Sequence, residues 1–239
     1  MNNVIGNGLL GRSFRNLALP EALYFCSGVS NSQETRVSEF DRERELLTSV
    51  FHAEQEFSSF VYFSSIMAPY RATEYFKHKY NMELLVKSLL PEKYLIIRLP
   101  QVVGLVNNTT LFPVLFHRIQ AGLPVFVQRS ATRSLIDVED VVRITNKLVK
   151  LGVRKKVVNC MPNEALPVSD IVDFIAGEIG RDVDRVEVSG GVAQEADRQL
   201  LHLNHYLSEG DPVLLPGYTR LVVAKYVKKF LADDATEAL

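Results

Sequence analysis

Long hydrophobic runs are absent from the sequence and cysteines are few, and both absences exclude classes of protein. No apolar stretch approaches the ~20 residues that a membrane-spanning helix needs, and the apolar residues before Gly6 are too few for a secretory signal. We therefore expect a cytoplasmic protein with no membrane partner. The two cysteines, Cys26 and Cys160, lie in apolar stretches typical of strands, which favours buried thiols over a disulfide or a metal site.

A strong charge of either sign is also missing. The formal net charge is −1, and acidic and basic residues are interspersed without forming a basic stripe. Nucleic acid and anionic membranes are therefore not implied as partners. The five histidines do not cluster at the spacing of metal ligands, so no metal site is expected. What remains is a chain of 239 residues, 47% of them hydrophobic, which is long enough to bury a sizeable core.

A glycine-rich turn follows the first apolar run of the chain. Val4 and Ile5 lead into Gly6, Gly8 and Gly11, which have the spacing Gly-x-Gly-x-x-Gly. A strand that ends in such a turn and continues into a helix can bring a pyrophosphate against backbone N–H groups, because glycine allows both the tight turn and the close approach. The turn therefore predicts a dinucleotide site; the alternative is a glycine-rich surface turn without a ligand.

The pattern of apolar runs and breaks predicts alternating strands and helices. Before Gly104, strands are predicted over residues 4–5, 22–26, 60–63 and 94–99, and helices over 9–17, 39–56 and 73–90. The order βαβαβαβ indicates a parallel sheet with helices on its faces. After Gly104, helices are predicted over 111–122, 138–151, 168–180 and 220–232, with Ser169 as a possible N-cap, and strands over 125–127 and 156–160.

Candidate catalytic residues lie between the third and fourth predicted strands. Tyr75 and Lys79 are four residues apart on a predicted helix, which places the phenol and the ammonium on one face. An ammonium nearby favours the phenolate, so we expect a lowered Tyr75 pKa and a hydroxyl able to exchange a proton with an alcohol or sugar oxygen. Ser64 and Ser65, at the end of the preceding strand, could hold that same oxygen. The alternative is an ordinary amphipathic helix, on which this spacing is common.

Five motifs in this order resemble those of the extended short-chain dehydrogenases/reductases, in the nucleotide-sugar epimerase/dehydratase group. They are the glycine turn of residues 4–11, the serine-bearing strand 61–65, Tyr75 and Lys79 followed by Glu83, the strand and turn 98–104, and the segment 133–140 beginning with Arg133. Each motif is loose by itself, but five in the expected order make a specific signal over almost the whole chain.

The resemblance implies a role for individual residues. Ser65 and Tyr75 would meet the reacting oxygen of the substrate, with Ser64 as the alternative to Ser65, and Lys79 would contact Tyr75 and the ribose of NAD or NADP. The implied substrate contacts are Ser65, Asn107 and Arg133, of which Arg133 would bind the diphosphate. The other implied cofactor contacts are Gly6, Gly8, Leu9, Leu10, Gly11, Ser27, Gly28, Ser64, Leu99, Gln101 and Val102.

The resemblance also implies a fold class and a domain organisation. We expect an α/β protein with a Rossmann-like parallel sheet, helices on both faces, one shortened edge, and a smaller C-terminal substrate lobe. The core would comprise residues 1–104 and the lobe residues 105–239, with 125–160 partly returning to the sheet.

One flank of the family's sheet is missing from this sequence. In the family, two further βα units separate the first strand from the one matched by residues 24–28, whereas this chain has only about ten residues of crossover, near the lower limit for parallel strands. The first strand should therefore form an edge, and no residue obviously replaces the family's acidic or basic contact to the adenosine. Glu34 follows the wrong strand, and Arg12 and Arg15 are better explained as solvated helix charges. We therefore expect weaker dinucleotide binding than is usual for the family, with the adenosine exposed or held by another subunit.

The short crossover leads to a further expectation about its helix. If the crossover is right-handed, as most are, its helix should lie on the face opposite to the one that the family uses for its first helix. The glycine turn would then present its backbone N–H groups to a dinucleotide differently from the glycine turn of the family.

The activity that the resemblance implies is NAD(P)-dependent epimerisation, dehydration or reduction of a nucleotide sugar, as in polysaccharide biosynthesis. Three alternatives remain open. The chain could bind a nucleotide sugar with little or no cofactor, serve as an assembly or regulatory subunit, or have its adenosine pocket completed in a homo-oligomer.

Overall fold

The structure of the protein is a computed structural model that describes residues 3–52, 56–106, 108–191 and 201–237. In these ranges the helices are α1 (Leu9–Phe14), α2 (Val37–His52), α3 (Glu74–Leu89), α4 (Leu111–Gln120), α5 (Val138–Lys150), α6 (Val168–Ile179) and α7 (Tyr218–Glu237). The strands are β1 (Val4–Ile5), β2 (Ala22–Phe25), β3 (Ser59–Ser65), β4 (Tyr94–Leu99), β5 (Gln101–Val103), β6 (Val125–Gln128), β7 (Thr132–Arg133), β8 (Leu135–Asp137), β9 (Lys156–Asn159), β10 (Leu166–Pro167), β11 (Arg185–Val188) and β12 (Leu201–His202). Among the described helices, none combines the length and apolar character needed to cross a membrane.

The chain divides into two compact units. The first comprises the described residues of Met1–Leu99, Val138–Cys160 and Ala196–Tyr206; the second comprises those of Pro100–Asp137, Met161–Glu195 and Leu207–Leu239. The segment from α5 to β9 thus belongs to the first unit, whereas β6 lies in the second. The assignment of the second unit as a substrate lobe stays a prediction.

A six-stranded parallel sheet forms the centre of the first unit. Its strand order is β1-β2-β3-β4-β9-β12, and neighbouring strands pair in parallel throughout. The predicted α/β class, with a parallel sheet flanked by helices, is confirmed. β1 pairs directly with β2 and ends the sheet, as expected from the missing flank. The side chain of Asn3 reinforces this edge by donating to the carbonyl oxygens of Leu19 and Ala22 at 2.7 and 3.0 Å.

One face of the sheet carries α2 and α3. Strand residues Leu23, Phe25, Phe60 and Tyr62 are fully or almost fully buried there, together with Leu47 of α2 and Met82 and Val86 of α3. These side chains occupy alternate strand positions, as expected for a face that is covered by helices. We call this surface the α2/α3 face.

The opposite face carries α1 and α5. Tyr24, which alternates with Leu23 and Phe25 along β2, packs against Phe14 of α1 with ring centroids 4.8 Å apart, and the ring of Phe63 lies 5.4 Å from that of Phe14. The Tyr24 hydroxyl donates to Asn146 of α5 at 2.7 Å. Since successive side chains of a strand point to opposite faces, α1 and α5 cover the face that α2 and α3 do not. We call it the α1/α5 face.

The first crossover therefore has the opposite hand to the next two. The steps β1→β2, β2→β3 and β3→β4 all move in the same direction across the sheet, so crossovers of one hand would place α1, α2 and α3 on one face. Instead, α1 lies on the α1/α5 face. The right-handed rule was thus the wrong guide for this crossover, because burial of Phe14 against Tyr24 and Phe63 fixes the face of a helix only six residues long.

Replacing Phe14 tests this packing. Phe14 is completely buried, so we expect Phe14→Ala to lower the free energy of unfolding by about 3–5 kcal/mol, as is usual when a core phenylalanine is truncated. The control is Leu17→Ala, because Leu17 is 59% exposed and its truncation should change stability by at most about 0.5 kcal/mol. Urea unfolding followed by circular dichroism measures both values. Equal losses in the two variants would contradict the described position of α1.

Two further sequence expectations can be compared with the structure. Cys26 and Cys160 are free and buried, as predicted, and burial raises the pKa of both thiols.

Ser169, in contrast, is not the N-cap of α6. That position is Pro167, and the Ser169 hydroxyl donates to Asp170 instead.

The second unit contains three two-stranded pairings and α4, α6 and α7. β5 pairs in parallel with β8, β6 in parallel with β11, and β7 antiparallel with β10. Buried Asp137 at the end of β8 accepts hydrogen bonds from Tyr226 and Lys225 of α7 at 2.6 and 2.5 Å, and Glu164 accepts from the backbone N–H groups of Gly217 and Thr219 at the start of that helix. These contacts hold α7 against β8 and against the segment that contains Glu164.

Candidate active site

The glycine turn after β1 is built on backbone contacts that only glycine permits. Gly6 has φ +121°, and a Cβ atom there would lie 2.7 Å from the Cys26 carbonyl. A Cβ atom on Gly11 would overlap the Gly6 carbonyl oxygen. These two glycines therefore let β1, the loop after β2 and α1 pack against one another.

Gly8 serves a different purpose, because its surroundings are open. It is the N-cap residue of α1, with an extended backbone and no side-chain cap, and a Cβ atom there would meet nothing within 4 Å. A ligand can therefore approach the backbone at this position and at Leu9 and Leu10, which form the first turn of the helix. Nearby, Arg15 donates to the side chain of Asn7 at 2.6 Å. The pyrophosphate site at this turn stays a prediction.

Tyr75 and Lys79 lie on the buried side of α3. Thr73 caps this helix by accepting a hydrogen bond from the Phe76 backbone at 3.3 Å. Tyr75 and Lys79 are both buried, and the Lys79 Nζ atom lies 6.0 Å from the centre of the Tyr75 ring. The spacing thus places both groups on one helix face, as the sequence predicts.

The Lys79 ammonium is held by a carboxylate from α2. Its Nζ atom donates to the two oxygens of Glu43 at 3.0 and 3.4 Å and to the Tyr62 hydroxyl at 3.4 Å. Glu43 is fully buried and also accepts from Tyr62 and from the Val29 backbone, each at 2.7 Å. His78 Nε2 lies 3.0 Å from the same carboxylate. His78, which the sequence does not link to the site, therefore belongs to this cluster of Glu43, Tyr62, His78 and Lys79, which we call the Glu43 cluster.

Charge and hydrogen bonding keep Glu43 ionised despite its burial. Burial raises the pKa of the Glu43 carboxyl, but the charge of Lys79 and the hydrogen bonds from His78 and Tyr62 outweigh this effect and lower the pKa to about 2. The cluster is therefore an internally compensated ion pair at neutral pH.

The loop after β2 closes over this ion pair. Gly28, which follows Ser27 in that loop, lies directly against Lys79: a Cβ atom on Gly28 would overlap the Nζ atom and lie 3.1 Å from a Glu43 oxygen. A side chain at position 28 would therefore displace the Lys79 ammonium from its present position.

The expected effect of Lys79 on Tyr75 is not found. Burial, followed by the negative charge of Glu43, raises the pKa of Tyr75 above its ordinary value. The prediction of a lowered pKa was wrong, because it counted the ammonium of Lys79 without the carboxylate that compensates it. In this structure the Tyr75 phenol is a weaker acid than free tyrosine.

The two serines at the end of β3 have different surroundings. Ser64 is buried, and among the described residues its hydroxyl has no hydrogen-bond partner. Ser65 is partly exposed and accepts a hydrogen bond from the Met67 backbone at 3.2 Å. Both serines thus lie at the carboxyl edge of the sheet, and each hydroxyl can still form a further hydrogen bond. Which of the two would bind the substrate oxygen stays open.

The remaining predicted residues lie on both sides of the division between the units. Leu99 ends β4 in the first unit, whereas Gln101 and Val102 lie in β5 and Arg133 lies in β7, all in the second unit. Arg133 is half-buried, donates to the Thr132 carbonyl at 2.7 Å, and has its pKa lowered by burial. Asn107 lies outside the described residues. The described part of the chain holds no group of three or more candidate metal ligands.

Glu43 is the main residue that sequence reasoning missed. Its position does carry a signal, since Glu43 lies on the apolar stripe of α2 at helical spacing from Phe40, Leu47 and Val50. A carboxylate on such a stripe needs a buried partner. Lys79 on the apolar stripe of α3 is that partner.

The chain is similar to known proteins in structure but not in sequence. No family model matches the sequence, and no curated protein matches it. The chain shares its fold with solved structures of nucleotide-sugar epimerases, and the resemblance indicated by the five motifs is confirmed at the level of the fold.

Three solved structures illustrate the similarity. UDP-N-acetylglucosamine 4-epimerase from Methanobrevibacter ruminantium M1 is 15% identical, with a TM-score of 0.67 over 89% of this chain and 77% of that one. UDP-glucuronic acid 4-epimerase from Bacillus cereus, in complex with UDP-glucuronic acid and NAD, is 15% identical, with a TM-score of 0.66 over 94% and 79%. A proposed epimerase from Burkholderia cenocepacia J2315 is 14% identical, with a TM-score of 0.68 over 95% and 96%.

Proposed function

We propose that the protein is an NAD(P)-dependent enzyme that acts on a nucleotide-activated sugar by epimerisation, dehydration or reduction. The observation that carries this proposal is the position of two features at the carboxyl edge of one sheet. The glycine turn leaves the Gly8 backbone open to a pyrophosphate, and Tyr75 and Lys79 share the buried side of α3. Similar folds in which NAD and a UDP-sugar are bound support the same assignment.

The chain's own residues would divide the work of binding and proton transfer. Gly8 and the first turn of α1 would receive the pyrophosphate on their backbone N–H groups. The Tyr75 hydroxyl would exchange a proton with a hydroxyl or keto oxygen of the sugar, and Ser65, or else Ser64, would hold that oxygen by a hydrogen bond. The nicotinamide ring, when bound, supplies the hydride acceptor and donor.

The proposed contact to the substrate diphosphate is Arg133. Arg133 is half-buried in β7, and burial increases the strength of a charge-assisted hydrogen bond to phosphate oxygens. In this proposal, Asn107 would be a further substrate contact.

Replacing Arg133 tests the substrate side of the proposal. We expect Arg133→Ala to weaken binding of UDP or a UDP-sugar about tenfold to a hundredfold, because a hydrogen bond to a charged group contributes roughly 1.5–3 kcal/mol. Calorimetry measures the affinity, and Arg129→Ala is the control, since Arg129 is an exposed arginine in the same segment paired with Glu187. Equal affinity in parent and Arg133→Ala would remove Arg133 from the site.

A second candidate function follows from the Glu43 cluster and from the edge position of β1. Lys79 is already paired with Glu43, and in the described part of the chain no strand lies beyond β1 to wall an adenosine. Both features favour a protein that binds a nucleotide sugar with weak or no cofactor binding, in a binding or assembly role.

Ligand-induced stabilisation separates the two candidates. A specific ligand present at 100 times its dissociation constant should raise the free energy of unfolding by about 2.7 kcal/mol. The purified protein should be tested by thermal unfolding with NAD, NADP, UDP and TDP, separately and in pairs. Stabilisation by a dinucleotide supports the enzyme; stabilisation by nucleoside diphosphates alone supports the binding protein. No stabilisation by any of them would contradict both.

A further inference from the structure

We propose that Glu43 is a positioning residue: it holds the Lys79 ammonium and thereby decides how strongly that ammonium supports the phenolate of Tyr75. The inference deepens the proposed function, on which it rests, because Tyr75 is the proposed proton-transfer group. It assigns a role to a residue of α2 that no sequence motif includes.

The geometry gives Glu43 control over the position of Lys79. Both carboxylate oxygens lie within 3.4 Å of the Nζ atom, and Lys79 is only 3% exposed. The carboxylate itself is anchored by the Val29 backbone and by Tyr62. Gly28 closes the remaining side of the ammonium. Glu43 therefore provides the main contacts that set the position of the Lys79 ammonium.

The pairing of Lys79 with Glu43 affects how readily Tyr75 ionises. The described charged and titratable groups of the cluster are Lys79 and His78 on α3, Glu43 on α2, and Tyr62 on β3. The charge of Glu43 disfavours the phenolate of Tyr75. The Lys79 ammonium, 6.0 Å from the centre of the Tyr75 ring, would favour the phenolate as an opposite charge nearby. Since the two charges are paired, their effects on Tyr75 oppose one another, and removing either one leaves the other uncompensated.

Opposite effects of two substitutions are the signature of this arrangement. Glu43→Gln keeps the shape of the side chain but removes its charge, so Tyr75 should ionise more readily. Lys79→Met leaves the carboxylate alone, so Tyr75 should ionise less readily. In the double variant the gain caused by Glu43→Gln should disappear, because both opposing charges are then absent and the balance at Tyr75 is close to that of the parent. If Glu43 had only a structural role, its replacement would change stability but would not change the ionisation of Tyr75 in the direction opposite to Lys79→Met.

The ionisation of Tyr75 can be measured without cofactor or substrate. Tyrosine labelled with carbon-13 at Cζ gives one resonance per tyrosine, and Tyr75→Phe identifies that of Tyr75. At a pH of about 10.5, close to the ordinary tyrosine pKa, we expect the ionised fraction of Tyr75 to rise about tenfold or more in Glu43→Gln. Glu45→Gln, an exposed position on the same helix, is the matched control and should leave the fraction unchanged.

The outcomes are distinct. An unchanged or smaller ionised fraction in folded Glu43→Gln would overturn the inference, as would an equal rise in the double variant. If Glu43→Gln does not fold, Glu43→Asp, whose shorter carboxylate holds Lys79 less closely, should show a smaller rise, and its absence would count equally against the inference. Because the measurement needs no turnover, a protein without enzymatic activity can still bear out the role of Glu43, and failure of the proposed function is recognised separately.

Discussion

Tyr75→Phe should remove nearly all turnover while leaving the fold and the binding of nucleotide sugar close to those of the parent. Only a hydroxyl is lost, and a positioned acid–base group contributes typically about 10²–10⁴-fold to the rate. The change is small because the ring of Tyr75, which packs edge-on against Phe76 at 5.2 Å, is retained. Turnover is measured with the nucleotide sugar that stabilises the parent most, and binding of the same sugar by calorimetry.

Tyr80→Phe is the matched control for this substitution. Tyr80 lies on the same helix, and its ring contacts the guanidinium of Arg71 rather than the Glu43 cluster. The same loss of one hydroxyl should leave turnover unchanged there. Parental turnover in Tyr75→Phe would end the assignment of Tyr75 as the proton-transfer group.

Gly8→Asp should separate folding from cofactor binding at the glycine turn. Gly8 has the extended backbone of an N-cap, and a side chain there meets open space. Aspartate is a better N-cap than glycine by a few tenths of a kcal/mol, so stability should be equal or slightly greater. A carboxylate about 4 Å from a phosphate costs up to about 4 kcal/mol near a protein surface, so we expect dinucleotide affinity to fall at least about thirtyfold.

Two companion variants complete this test. Gly8→Ser offers a similar cap without the charge and should lose much less affinity. Gly11→Ala should unfold the turn, because its Cβ atom would overlap the Gly6 carbonyl. Thermal unfolding with and without dinucleotide measures both quantities. Parental dinucleotide affinity in Gly8→Asp would show that the pyrophosphate does not bind at this turn.

The long elements were predictable from sequence because each carries a clear apolar period. The run from Tyr94 to Leu99 and the helix that starts at Val138 are found at the predicted positions. The short strands β5, β7 and β8 were not predicted, since two or three residues hold no period to detect. Their positions depend on tertiary pairing rather than on local sequence.

The candidate site was predictable where a motif fixes local geometry. The glycine turn and the helical spacing of Tyr75 and Lys79 are properties of neighbouring residues, and the structure reproduces them. The pairing of Lys79 with Glu43 joins residues on two different helices, so no local spacing could predict it. The electrostatics of Tyr75 depend on that pairing, which is why the direction of its pKa shift was wrong.

The reversed hand of the first crossover has a consequence for where a ligand can enter. In an open α/β sheet, a crevice forms where the loops from two adjacent strands diverge toward opposite faces, and this ordinarily requires the strand order to reverse. The order from β1 to β4 does not reverse. Since α1 and α2 nevertheless lie on opposite faces, the chain leaves β1 and β2 toward different faces once it has passed the close contact between Gly6 and Cys26. We therefore expect a ligand of the glycine turn to approach where these two paths diverge, a divergence that two helices on one face would not provide.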